Sequence, residues 1–235
     1  MNHVLNGREI RVLDAWLGFL GCLVIYVSSF IAEPFIVGLF PGFQEDFIYL
    51  MMMVIPPLLI PIIYFTFRYE RIRFADLIPQ GKDFLVLLIA LIFLFLWFSF
   101  TMFQGTRSDE LAKQIYNLQG YQGVLAISLV VLIGPLLEEI LFRKYILGIL
   151  LHKYHLFTAV LVTVSLETLM HIGVLVEGFG IKALVKIFII LLLYTIVYLN
   201  SRLGVSVIVH CLYNFIITWL TWPGFHQIYQ GMHIY

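Results

Sequence analysis

Residues 134–143 read GPLLEEILFR, two adjacent carboxylates and an arginine set inside an apolar run that extends from 122 to 151. Spanning a bilayer as a helix takes roughly 20 apolar residues, so this run reads as a membrane helix that carries Glu138, Glu139 and Arg143 within it. The rest of the chain agrees. Of 235 residues, 62% are hydrophobic, 12% are charged and 21 are phenylalanine, and the mean hydropathy is +0.99, outside the range of a water-soluble globule. The chain is therefore read as an integral membrane protein.

Working outward, apolar stretches near spanning length recur at 13–32, 47–67, 84–103, 122–151, 157–176, 181–199 and 205–222, which predicts an all-α, polytopic transmembrane bundle of about seven spans. The first run is longer than a signal-peptide core and lacks a small-residue cleavage pattern, so it is expected to remain as an anchor. Pro56, Pro57 and Pro61 in the second run remove backbone donors and predict a kink. No internal repeat is present. Cys22 and Cys211 each lie in an apolar run and read as buried thiols rather than a disulfide pair.

The formal charge is zero, with 14 basic and 14 acidic residues, so no basic surface is offered to nucleic acid. Charge placement instead reports topology. Arg8, Arg11, Arg68, Arg71, Arg73, Lys82, Lys144, Lys153 and Arg202 fall on one side of the predicted spans, and Arg107, Lys113, Lys182 and Lys186 on the other. The richer side is expected to be cytoplasmic, which places the N-terminus inside and the C-terminus outside a cell membrane, expected to be bacterial. Trp219, Trp222, Tyr229 and Tyr235 suit an interfacial belt at the outer edge. The loop RYERIRFADLIPQGKD, 68–83, mixes basic and apolar residues; an ordinary positive-inside loop is the simpler reading, and a segment lying along the headgroups is the alternative.

An ionised side chain at mid-bilayer costs roughly 2.5–3.5 kcal/mol on insertion scales, so such a group needs a partner or a task. Besides Glu138, Glu139 and Arg143, this chain places Glu167 and His171 on the fifth predicted span and His210 with Asn214 on the seventh. Residues four apart share a helix face, whereas residues five apart diverge by about 140° at 3.6 residues per turn. Glu139 and Arg143 can pair, which leaves Glu138 on another azimuth. The bland account is polar glue between helices. A pair of carboxylates, two histidines and an asparagine on three spans point instead to a site. Glu138 with His171 makes a general base for water, and His210 with the Asn214 amide can donate to a developing oxyanion. No serine or cysteine stands in a matching context, so activated water is favoured over a covalent intermediate.

EEILFR at 138–143 and HCLYN at 210–214 resemble the EExxxR and HxxxN motifs of the CAAX protease and bacteriocin-processing family of intramembrane glutamyl endopeptidases, and His171 resembles the histidine of its FxxxH motif. Two positions depart: Glu167 stands where phenylalanine is usual, and Lys144 follows the arginine where glycine is frequent. The resemblance covers about 120–216. It implies catalytic roles for Glu138, His171, His210 and Asn214 in a polar cavity formed by the last four spans, with Glu139, Arg143 and Glu167 in support. The domain expectation is an N-terminal three-helix region over 1–119, a catalytic core over 120–222 and a short tail over 223–235. The implied substrate is a membrane-associated peptide or protein; within the family, roles run from prenylated CAAX tails to peptide maturation and bacteriocin processing. No cofactor is expected.

Three rivals stand beside this reading. A zinc hydrolase would use Glu138, His171 and His210 as ligands, although HExxH is absent. A non-catalytic immunity or signalling scaffold would use the same residues to hold the bundle together. A proton-coupled transporter lacks the expected repeat and broken helices. For Glu167 two readings remain open: a carboxylate one turn before His171 that fixes its tautomer, or a side chain in a hydrated cleft. Depth adds a constraint. At 1.5 Å per residue His171 lies about 21 Å from the start of its span and His210 about 8 Å from the start of its own. Helix five must begin outside the hydrocarbon or helix seven inside it.

Overall fold

The computed structural model describes residues 12–69, 72–102, 120–171 and 180–220. The regular elements among them are helical: α1 (Val12–Leu39), α2 (Glu45–Arg68), α3 (Asp83–Met102), α4 (120–151), α5 (Leu156–Met170), α6 (Gly180–Asn200) and α7 (Leu203–Leu220), with a single 3₁₀ turn at Phe74–Asp76 between α2 and α3. Each predicted span coincides with one helix. Two ends differ most: α1, expected to stop at 32, runs on to Leu39, and α5, expected to reach 176, ends at Met170 with His171 as its C-cap; 172–176 lie outside the described residues. Helices α1, α2, α4 and α6 are long and apolar enough to cross a membrane, while α3, α5 and α7 contain shorter apolar helices, Asp83–Ser99, Leu156–Met170 and Leu203–Trp219. Phe67, Phe95, Phe157 and Ile181 are exposed, as expected where the surrounding solvent is lipid.

Helix α2 runs on through Pro56, Pro57 and Pro61. In α4 the hydrogen-bond register changes twice, with π-helical segments at Leu129–Ile133 and Glu139–Leu147. The first precedes Pro135, which has no N–H to give, and the Gly134 N–H reaches back five residues to Leu129. A Cβ at Gly134 would lie 3.1 Å from the same Leu129 carbonyl, so glycine suits this tight turn. π-turns occur mostly as single insertions and frequently at functional positions; the second segment here begins at Glu139.

Two apolar clusters hold the bundle. One joins α1 and α2 to α4, α5 and the start of α7 through Phe19, Phe65, Tyr145, Leu166 and Leu203. The other joins α3 to α5, α6 and α7 through Leu94, Val164, Leu191 and Val209. Helix α5 contributes to both, so the polar residues of α4 to α7 are enclosed between them. Cys22 is buried, Cys211 is half-buried, and both are free thiols.

The start of α7 is covered by protein. Ser201 and residues 203–206 are buried, and the α2–α3 connection lies over the first turn of α7, its Leu77 carbonyl against Gly204. Helix seven thus begins inside the protein. In that connection Phe74 and Ile78 are exposed. Trp219 is exposed near the end of α7; Trp222, Tyr229, Tyr235, Arg8, Arg11, Arg71, Arg107 and Lys113 lie outside the described residues.

Candidate active site

Glu139 is fully buried in α4. Its carboxylate accepts a hydrogen bond from Ser206 Oγ at 2.5 Å and another from His210 Nδ1 at 3.0 Å. Arg143 Nε stands 3.4 Å away. Taking a carboxylate out of water costs several kcal/mol unless hydrogen bonds and opposite charge replace the solvent, and these three groups do so. Ser206 and His210 are one turn apart on α7, so a single helix face grips both oxygens of Glu139.

Arg143 is also fully buried and joins three helices. Nη1 donates to Glu167 on α5, Nη2 donates to the Leu191 carbonyl on α6 at 3.0 Å, and the guanidinium carbon lies 5.8 Å from the centre of the Tyr194 ring. The Glu139–Arg143 pairing expected from the four-residue spacing is therefore present, but Arg143 is shared with Glu167 and approaches it more closely. In π-helical turns hydrogen bonds run from i to i+5, so the azimuths assumed at 3.6 residues per turn no longer hold.

Glu167 corrects both sequence readings of it. Its side chain is fully buried, not in a hydrated cleft, and its carboxylate pairs with Arg143 rather than with the His171 ring. His171 is held through the backbone instead: its Nδ1 lies 3.0 Å from the Glu167 carbonyl oxygen. A carbonyl only accepts, so Nδ1 carries the proton and Nε2 is left as the other functional nitrogen. The departure from phenylalanine at 167 is thus an addition to the charge network around Arg143.

Glu138, on the neighbouring azimuth, is the one carboxylate of the three that keeps solvent access, at 21% side-chain exposure, and its Oε2 lies 3.7 Å from His210 Nε2. His210 therefore sits between the two glutamates, Nδ1 toward Glu139 and Nε2 toward Glu138. Tyr194 on α6 stacks on the imidazole with ring centres 4.3 Å apart and planes inclined by 24°. Asn214, one turn beyond His210, donates from Nδ2 to the Val130 carbonyl at 3.0 Å, in the first π-segment of α4; its second amide hydrogen and its oxygen remain as further bonding capacity.

The contacts gather Glu138, Glu139, Arg143, Glu167 and His210 into one network. His171 is tied to it through Glu167 on the same helix, and Asn214 through α4. Ser206 and Tyr194 were missed in the sequence. Ser206 could have been found by carrying the four-residue rule back one turn from His210. Tyr194 gives no such signal, since a tyrosine in an apolar span reads as packing. Among the described residues, no group of three or more His, Cys, Asp and Glu side chains is placed to hold a metal ion.

Residues 120–216 match the family model described as Rce1-like, type II CAAX prenyl endopeptidase Rce1-like. The match runs from α4 into α7 and includes every residue of the network above. No curated protein and no solved structure matches the chain.

Proposed function

We propose, from the match of residues 120–216 to the Rce1-like family model of type II CAAX prenyl endopeptidases and from the geometry of the site, that this chain is an intramembrane endopeptidase that cleaves a membrane-associated peptide or protein with glutamate-activated water. The observation that carries the reading is the division of labour between adjacent carboxylates: Glu139 is sealed by Ser206, His210 and Arg143, while Glu138 alone keeps solvent access beside His210 Nε2. Glu138 is the general base that takes a proton from water, with His171 Nε2 available to assist, and Glu139 is the positioning group that holds the His210 ring.

This arrangement constrains the oxyanion donors. His210 gives its Nδ1–H to Glu139, so it can donate to the developing oxyanion only through Nε2, and only when that nitrogen also carries a proton. The free amide hydrogen of Asn214 is the second donor. Positioned donors of this kind typically contribute 10²–10³ in rate. No metal enters the scheme, the catalytic core is residues 120–222, and the N-terminus faces the cytoplasm. Peptide maturation and bacteriocin processing are the substrate roles to examine alongside prenylated CAAX tails.

The test is cleavage of an internally quenched, farnesylated CAAX-type peptide by the reconstituted protein, together with comparative peptide profiling of cells bearing the intact chain or Glu138→Gln. General-base loss should lower turnover by roughly 10²–10⁴-fold with the protein accumulating normally. Identical peptide profiles and no cleavage of the probe by the intact protein would leave the network as polar glue and make the scaffold reading the better one.

A further inference from the structure

The α2–α3 connection touches both helices that carry the carboxylate and imidazole groups. Toward α4, Lys144 Nζ lies 3.5 Å from Asp76 Oδ2. Lys144 is nearly buried, with 7% side-chain exposure, and it immediately follows Arg143, at the position where glycine is frequent in the family that the motif resembles. Toward α7, Arg202 donates from Nη1 to the Ala75 carbonyl at 3.0 Å and pairs through Nε with Asp83 at 3.2 Å. Asp83 is itself fixed by the Gln80 N–H at 2.9 Å. Between these ion pairs the backbones meet: a Cβ on Gly204 would lie 1.8 Å from the Leu77 carbonyl oxygen and 2.3 Å from its carbon. Backbone cannot swing aside as a side chain does, so this contact exists only with glycine.

Gly204 is six residues before His210, about 9 Å along the axis, and only two before Ser206. The position of this first turn therefore sets where Ser206 and His210 meet Glu139. Relieving a Cβ at Gly204 to ordinary contact distance requires a displacement of about 1.5 Å, close to the rise of one helical residue. His210 Nδ1 stands 3.0 Å from Glu139, and a shift of that size takes it out of hydrogen-bond reach.

From this geometry we infer that the 74–83 segment is a clasp that sets the position of α7 against α4, with Gly204, Arg202 and Lys144 as positioning residues for His210. Lys144 is explained by it: the charge that departs from the family pattern anchors the clasp on the helix bearing Glu138 and Glu139. The inference rests on the proposed peptidase reading for its consequence in turnover, but not for its geometry.

The experiment uses two readouts. Cysteines at 132 on α4 and 215 on α7, both exposed positions, are spin-labelled in a background with Cys22 and Cys211 replaced by alanine, and the inter-label distance is measured by pulsed electron resonance in the reconstituted full chain. Turnover is measured on unlabelled protein with the farnesylated peptide. Gly204→Ala is expected to shift the distance by about 1.5 Å or broaden it. It should also lower kcat roughly 100-fold, the scale of a misplacement of about 1 Å at a reacting centre, with KM within about twofold. Lys144→Met should broaden the distance and lower kcat at least tenfold, whereas Lys144→Arg restores both; this pair answers the question if Gly204→Ala fails to accumulate. Unchanged distances in Gly204→Ala and Lys144→Met overturn the clasp, whether or not the peptide is cut. A shifted distance with unchanged kcat overturns the positioning role. If the intact protein leaves the peptide uncut while the distances shift as stated, the clasp stands and the peptidase reading fails.

Discussion

Replacing Arg143 by leucine removes the cation that Glu139 and Glu167, both fully buried, share, and the two are left in different circumstances. Glu139 keeps Ser206 and His210 as donors. Glu167 keeps nothing comparable among the described residues, because Oε1 loses Arg143 and Oε2 has no hydrogen-bond partner among them even in the intact protein. The penalty is therefore mainly that of one stranded carboxylate, about 3–5 kcal/mol for a broken buried pair. At about 1.4 kcal/mol per decade this is a factor of 10² or more in the folding equilibrium, a large part of the typical stability of a domain. The double variant Arg143→Leu with Glu167→Leu removes the stranded charge together with its partner, and apolar replacement of a whole buried pair is often near neutral. The expected outcome is that the double variant recovers about 3 kcal/mol over Arg143→Leu, or about 6–12 °C in Tm for a chain of this size. Thermal unfolding in detergent, followed by intrinsic fluorescence across the four-member cycle, measures it. If the double variant is no more stable than Arg143→Leu alone, Glu167 is not the stranded partner and the assignment of Arg143 as the bridge between α4 and α5 is wrong.

Tyr194→Phe deletes a buried hydroxyl that has no hydrogen-bond partner among the described residues, so it should leave stability unchanged or raise it by about 1 kcal/mol, and a loss above 1 kcal/mol in the same unfolding assay would show that the hydroxyl has an acceptor. Ser206→Ala takes one donor from a fully buried carboxylate and should cost about 1–3 kcal/mol while reducing turnover of the farnesylated peptide at least tenfold; full activity would mean that Glu139 holds His210 without it. Exhaustive chelation followed by metal analysis should leave peptide cleavage intact. Activity abolished by chelation and restored by zinc would instead establish the zinc hydrolase reading.

The seven helices and the two complete motifs were legible in the sequence because both are local properties. A run of apolar residues must satisfy its backbone internally in lipid, whatever its neighbours do, and residues four apart on one helix meet without help from the rest of the fold. Thus α4 was recognised from 122–151, Glu139 was assigned to Arg143, and His210 was grouped with Asn214. What the sequence left undecided is how each helix is rotated and how far it is shifted along its axis. In a soluble helix the polar face reveals rotation, but here buried Leu191 and exposed Ile196 on α6 are equally apolar, so Tyr194 cannot be placed over His210 from its position alone. The π-turns in α4 changed azimuths that a uniform period assumes, and Arg143 reached Glu167 as well as Glu139. Only the folded chain could bring Leu77 onto Gly204 across 127 residues of sequence, because that contact is decided by packing between distant backbones. It is this contact that places the start of α7 inside the protein and His210 at the depth of Glu138 and Glu139.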